Sequence, residues 1–214
     1  MHLTLGNKNY SSWSLRPWLL LKHFDIGFTE DVVPLCTTTT QQTLMSLSGS
    51  SKVPVLKDKA ITVWDSLAIC EHINDHYLNG KGWPEGSTMR SLARSYASEM
   101  HSGFTNLRNE MPMNCRAKGI KIKMTQGLEN DIQRINELWS IENGSNRSEG
   151  WLFGEFSIVD CMFAPVAFRF ETYGVSLNET ATIYKNKLLQ HTAMQEWLAQ
   201  SNVEPYVIQK AELG

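Results

Sequence analysis

The chain reads as a mixed α/β unit followed by an all-helical one, and three observations predict this. In the first 80 residues of the 214, β-type apolar runs and helical spacing alternate in the order βαβ, then α, then ββα. Residues 79–86 (NGKGWPEG) hold three Gly and one Pro, a composition that breaks helix and strand alike. No strand pattern follows that break, and the later segments repeat apolar residues at helical spacing. The implied organisation is an α/β unit over 1–80, a linker over 81–86 and a helical unit over 87–214.

His2 to Leu5 reads as a short strand. Ser14 to Ile26 reads as a helix with Leu15, Trp18, Leu19 and Ile26 along it, and Phe28 to Leu35 as a second strand. Pro17 is expected in the first turn of its helix, where a missing N–H costs nothing. Thr39 to Leu47 is a weak helix, followed by the Ser- and Gly-rich stretch Ser48 to Ser51. Val53 to Leu56 and Ile61 to Trp64 form a hairpin across Lys57, Asp58 and Lys59. Asp65 then opens a helix carrying Leu67, Ile69, Cys70 and Ile73. Beyond the break, helices are expected over Ser87 to Met111, Lys121 to Ile141, Ser157 to Tyr173 and Asn186 to Ser201. Ser157 and Asp160 have the spacing of a capping box, read as a structural cap.

Composition narrows the function. With 42% hydrophobic and 20% charged residues the chain can bury about 70% of its unfolded surface and leave roughly 10,000 Å² exposed. Its 20 basic and 22 acidic groups give a net charge of -2, with no field of one sign to recruit a polyanion, so nucleic acid is not an expected partner. The longest apolar run near the start, Trp18 to Leu21, is far too short for a membrane span or a signal-peptide core, so no membrane association and a cytoplasmic location are expected. Without such a signal the Asn-x-Ser/Thr matches at Asn9, Asn143, Asn146 and Asn178 carry no weight. Cys36, Cys70, Cys115 and Cys161 lie too far apart for a C-x-x-C pair or a metal-ligand spacing, and each is expected to be a small buried hydrophobe.

Three segments of the α/β unit can carry chemistry. Tyr10 to Trp18 (YSSWSLRPW) runs from a strand end into a helix, so its hydroxyls lie beside the partial positive charge of a helix N-terminus, which favours an anion such as a thiolate. Lys52 to Leu56 (KVPVL) sets a proline at a strand entrance, where a cis bond exposes the preceding backbone to an extended peptide. Asp65-Ser66 stands at another helix start, a place for a carboxylate. Singly, the serines and the Asp-Ser pair read as helix caps, and V-P-V is weak.

Together, in this order and spacing, they resemble the glutathione S-transferase superfamily. SSWSLRPWLLL resembles the catalytic segment of its zeta-like, serine-type members, KVPVL the cis-proline strand, DSLAICEHI the γ-glutamyl-binding turn and helix, and SIVD the helical domain's capping box. The resemblance covers essentially the whole chain and implies a thioredoxin-like domain with a mixed four-stranded sheet, joined to an all-α bundle. It implies that Ser11 hydrogen-bonds the glutathione sulfur while Ser12 and Trp13 shape the pocket floor. Val53 would pair its backbone with the cysteinyl part ahead of a cis Pro54, and Asp65 and Ser66 would hold the γ-glutamyl group. Lys52 and Gln41 or Gln42 would face the glycyl carboxylate.

Glutathione is thus the implied co-substrate, with no metal, and a small hydrophobic electrophile the second substrate. Residues 100–109 (MHSGFTNLRN) resemble the helix lining the electrophile site, offering His101, Thr105, Arg108 and Asn109. Bland readings of that stretch are a packing glycine, a surface arginine and a satisfied histidine. The match at Ser11 and Ser12 sets a maleylacetoacetate-type isomerase beside the transferase as an alternative, although the zeta-class isomerases carry a cysteine where Trp13 stands, which speaks against it; a peroxidase and a non-catalytic glutathione-binding protein are the others. Ser11 and Ser14 stand where redox relatives need cysteine, disfavouring disulfide chemistry. Most such proteins are homodimers, an expectation from resemblance alone. His72 and His76, four apart, read as an exposed helix face, and Arg116, Lys118, Lys121 and Lys123 as a solvated loop and helix start.

Overall fold

Apolar alternation in β1 (His2–Gly6) sends Leu3 and Leu5 into the core. In the computed structural model, which describes residues 1–141 and 150–213, β1 lies inside a four-stranded sheet of order β2-β1-β3-β4. β2 (Thr29–Val33) runs parallel to it with His2 opposite Thr29; β3 (Val55–Asp58) runs antiparallel with His2 opposite Lys57. β4 (Ile61–Trp64) completes the expected hairpin, turning at Lys59 with φ +51°. A parallel pair needs a crossover. Helix α1 (Ser12–His23) supplies it, and α2 (Thr40–Leu47) and α3 (Ser66–Tyr77) complete the βαβ-α-ββα order. Sequons Asn143 and Asn146 lie outside the described residues.

Helix α1 is buried on every side: Ser12 and the whole run Ser14 to Leu21 are enclosed. A helix apolar all round must be covered all round, and α3, α7 (Ile158–Tyr173) and α9 (Thr192–Asn202) pack against it. Pro17 is not in the first turn as expected. It lies farther in, because the helix starts at Ser12, and it deprives the Trp13 carbonyl of its intrahelical donor.

Every residue of α7 except Glu171 is buried. The Ser157–Asp160 box caps it, with the Ser157 N–H donating to Asp160 Oδ2 at 2.8 Å; Tyr184 donates its hydroxyl to Oδ1 at 2.8 Å. Burial pushes the Asp160 carboxyl up to about 6 despite these bonds.

The expected helix over 87–111 is two helices, α4 (Ser87–Ser102) and α5 (Thr105–Glu110). Gly103 turns extended, where a Cβ would stand 2.8 Å from the Glu99 carbonyl oxygen, and Phe104 adopts a left-handed φ of +59°. Helix α6 begins only at Gln126 and runs to Ser140, with Thr125 accepting the Leu128 N–H; Lys121 and Lys123 precede it in the loop. The segment 186–201 divides into α8 (Glu179–Gln190) and α9 because His191 caps α9, its Nδ1 accepting the Ala193 N–H at 3.1 Å. Cys70, Cys115 and Cys161 are buried, but Cys36 is exposed on a loop with φ +62°. His76 is exposed as expected; His72 instead docks on Asp58 at 3.0 Å beside the Tyr77 hydroxyl at 2.6 Å. Arg116 is held too, donating to the Glu204 carbonyl at 2.8 Å and to the Tyr10 hydroxyl at 2.9 Å. The exposed area, 10322 Å², is close to the value expected from mass.

A histidine pair joins α1 to α9. Because His191 Nδ1 is an acceptor, its Nε2 carries the proton and donates to His23 Nδ1 at 2.9 Å, while His23 stacks on Phe156 with centroids 3.8 Å apart. Burial, and secondarily His191, lower the His23 imidazole from 6.5 to about 4. The unfolded chain therefore takes up this proton at 6.5 and the folded one does not until about 4, so the stabilisation is present above 6.5 and is lost as pH falls through that window. Asp160, raised from 3.8 to about 6, works in the opposite direction, so only a comparison with a variant isolates His23. His23→Phe, which keeps the stacking, is expected to flatten the decline of the thermal midpoint between pH 6.5 and 4.5, although His191, also lowered by burial, keeps its own share; parallel curves would exclude His23 as its source.

Candidate active site

A cavity of about 760 Å³, the size of a small-molecule site, opens where the sheet's loops meet the C-terminal end of α4. Trp13, Leu35, Leu44, Ser50, Ser51, Lys52, Val53, Pro54, Trp64, Asp65, Ser66 and His101 line it. All three chemistry-bearing segments of the α/β unit therefore reach it, and so does α4.

Ser11 and Ser12 lie behind the wall, 5% and 6% exposed. Ser11 is the N-cap of α1: its Oγ accepts the Ser14 N–H at 3.4 Å, and its hydroxyl donates to Ser14 Oγ at 2.7 Å. Ser14 Oγ in turn accepts the Gly6 N–H at 3.0 Å, tying the helix start to the end of β1. The Val53–Pro54 peptide is cis, and both residues face the cavity. Lys52 lies at its rim. Gln42 does not reach it, being exposed on α2, and neither do Thr105 and Asn109, exposed on α5.

Arg108 is also kept from the cavity. It folds back to cap α4, Nε donating to the Gly103 carbonyl at 2.9 Å and Nη2 to that of Met100. Its guanidinium lies 4.7 Å from the Trp13 ring centre, and that of Arg16 lies 4.4 Å from the same ring. The indole at the floor is thus held by two cations.

Asp65 joins the two halves. At φ +75° it caps α3, Oδ1 accepting the Leu67 N–H at 2.9 Å and the Ala68 N–H at 3.2 Å. Its Oδ2 faces His101 Nε2 at 3.1 Å. Burial opposes ionisation, yet the bonds from His101 and the two amides prevail and keep this carboxyl below its ordinary value. Arg16, 1% exposed, donates from Nη1 to Ser66 Oγ at 3.3 Å, and its Nε has no partner. Among the described residues no carboxylate lies within ion-pair distance of it. Burial, followed by Arg108 and Arg169, lowers its pKa well below the usual value, against a smaller opposing influence of Cys70 and Asp65 at longer range.

Leu35, Leu44, Ser50, Ser51 and Trp64 line the cavity without having been singled out from the sequence. Adjacency was the available signal: Ser50 and Ser51 precede Lys52, and Trp64 precedes Asp65. Arg16 was signalled only by its place in an otherwise apolar run.

Residues 10–76 match the family model described as glutathione S-transferase, N-terminal domain. Among curated proteins, the stringent starvation protein A homolog of Haemophilus ducreyi is 20% identical over 162 residues, covering 74% of this chain and 72% of that protein. Among solved structures, a glutathione transferase homolog from a Burkholderia species, with bound glutathione, is 19% identical and superimposes with a TM-score of 0.72, covering 95% of this chain and 98% of that one. A maleyl pyruvate isomerase, described as a bacterial glutathione S-transferase in the zeta class, is 15% identical with a TM-score of 0.72, covering 97% of this chain and all of that one. The fold is that of the glutathione transferases.

Asp65→Ala, which loses both capping bonds at a positive φ, is expected to lower unfolding free energy by about 0.5–2 kcal/mol in urea. Asp65→Asn should retain most of it, since Asn caps helices and tolerates positive φ. Equal losses in the two variants would assign the effect to charge instead of the cap.

Proposed function

We propose that this chain, which has the glutathione-transferase fold and matches that family's N-terminal domain over residues 10–76, is a glutathione-dependent transferase acting on a small hydrophobic electrophile. The observation that carries this reading is the convergence on one cavity of Trp13, the cis Val53–Pro54 peptide and the Asp65–Ser66 helix start. Three parts of a tripeptide have three places here. The free backbone of Val53 suits the cysteinyl unit, Asp65 and Ser66 the γ-glutamyl end, and Lys52 the glycyl carboxylate. Ser11 and the first turn of α1 take the sulfur.

The energetics are adequate. Lowering a thiol from about 8.5 by about 2 units takes roughly 2.7 kcal/mol. A hydrogen bond to a charged group contributes about 1.5–3 kcal/mol and a helix N-terminus about 0.3–1. The Ser11 hydroxyl, which lies behind the cavity lining, would have to leave Ser14 Oγ for the sulfur, replacing a neutral hydrogen bond with a charge-assisted one. The electrophile docks on the α4 side of the cavity, the protein acts as a cytoplasmic homodimer, and Trp13 in place of cysteine favours transfer over isomerisation.

A second reading, a glutathione-binding protein without catalysis, is favoured by one observation: Ser11 is nearly enclosed and already bonded.

Ser11→Ala is expected to slow conjugation of glutathione to a generic aryl halide about 10- to 100-fold while calorimetric glutathione binding persists. An unchanged rate moves the role to Ser12 or the backbone. A wild-type protein that binds immobilised glutathione but conjugates nothing establishes the second reading, and one that does neither removes both.

A further inference from the structure

Two features at the α3 end of the cavity are unlike each other. The carboxylate-binding side is open and reinforced: Ser66 faces the cavity at the start of α3, and the buried Arg16, with no carboxylate at ion-pair distance among the described residues, donates to its hydroxyl from behind. The side that would receive a cation is largely engaged. Asp65 spends Oδ1 on two backbone N–H groups and offers Oδ2 to His101 Nε2 at 3.1 Å. A carboxylate has about four acceptor positions; three are engaged, and the fourth, on Oδ2, lies beside the His101 ring, which crowds an incoming ammonium.

His101 is not a loose surface group that yields its place freely. Its ring packs edge-on against Trp13, with centroids 5.3 Å apart and planes at 76°, and Trp13 is itself held by the Arg16 and Arg108 guanidiniums. The arrangement retains one unmet demand: His101 Nδ1 is buried and has no partner. Leaving such an atom unpaired is unfavourable, so the bridge to Asp65 and the packing on Trp13 are what keep the imidazole there.

We propose that His101 determines ligand specificity at this end of the cavity: by bridging to Asp65 it takes the acceptor that a ligand's α-ammonium would use. The site then reads the carboxylate of a γ-glutamyl group and is nearly indifferent to its amine. This rests on the glutathione reading above and adds to it that thiol peptides with a free carboxylate and no α-amine are ligands of similar affinity.

The test is calorimetric binding of two probes, glutathione and the analogue in which hydrogen replaces the γ-glutamyl amine, to the full chain and its variants. Wild type is expected to bind the two within about threefold; His101→Ala, which frees Asp65, should prefer glutathione by about tenfold or more, the worth of one hydrogen bond to a charge. His101→Gln, which retains an N–H donor for Asp65, should return the ratio towards wild type, a rescue that loss of packing alone does not produce. Should His101→Ala fail to fold, Asp65→Asn serves: with the amine unread, it binds both probes with the wild-type ratio. The proposal is overturned by a tenfold preference for glutathione in wild type, by an unchanged ratio in a folded His101→Ala, or by a selective loss of glutathione binding in Asp65→Asn. If wild type binds neither probe, the glutathione reading falls and takes this proposal with it; a changed ratio pattern with intact binding removes this proposal alone.

Discussion

The enclosure of α1 is the constraint from which the rest of the architecture follows. A helix carrying Leu15, Trp18, Leu19, Leu20 and Leu21 at zero exposure cannot be stabilised by a sheet on one side alone. The α/β part leaves one flank open, and α7 and α9 close it. At the junction Trp18 and Trp197 meet edge to face with centroids 5.0 Å apart, and the Lys8 ammonium lies 5.0 and 5.3 Å from their ring centres while pairing with Glu30 and Gln200. Each of these two indoles also has a polar outlet, Trp197 to the Lys8 carbonyl at 2.8 Å and Trp18 to Glu30 at 2.5 Å. A helix fixed this firmly along its length also has a fixed N-terminus, which is where the cavity begins.

Charge in the cavity follows from the same burial. Arg16 is carried inside as part of α1, and the groups it meets are Trp13 and the Ser66 hydroxyl, not a carboxylate. The protein thereby stores positive potential behind a helix N-terminus without displaying it on the surface, consistent with a net charge of only -2. Asp65 Oδ2 is engaged by His101 Nε2 across the cavity mouth, at 3.1 Å. A small anionic ligand met by buried, oriented groups requires no basic exterior.

The sequence made the order of elements legible because each short strand of the α/β part is bounded by turn residues and each helix by a cap. What it did not reveal lies where a local pattern continues through a tertiary break. Residues 87–111 keep helical spacing across Gly103 and Phe104, but the chain turns there because the Arg108 guanidinium ends α4 and Phe104 turns left-handed. The split at His191 is of the same kind, a side chain acting as a cap that its residue type does not advertise. His72 read as exposed because its partner Asp58 comes from the neighbouring hairpin. In the cavity, the residues found from sequence are Trp13, Lys52, Val53, Pro54, Asp65, Ser66 and His101, most of them beside a helix start or the cis peptide, where the backbone does the positioning. Gln42, Thr105 and Asn109 were implied by the family resemblance alone, and α2 and α5 leave them exposed to solvent.

The position of Ser11 shows why a helix cap and an anion site are hard to separate in a sequence. Both need a short hydroxyl at the residue before the first turn, and both use the same unsatisfied donors. The difference lies in what stands opposite. Here Ser14 is opposite, bonded on its other side to the Gly6 amide, so the resting hydroxyl of Ser11 belongs to the fold. A thiolate is a stronger acceptor than the Ser14 oxygen and therefore competes for the same hydrogen atom, and Ser14 keeps its Gly6 donor when it loses. In the proposed function the cap and the site are one hydroxyl in two states, and a ligand anion is what would move it from the first to the second.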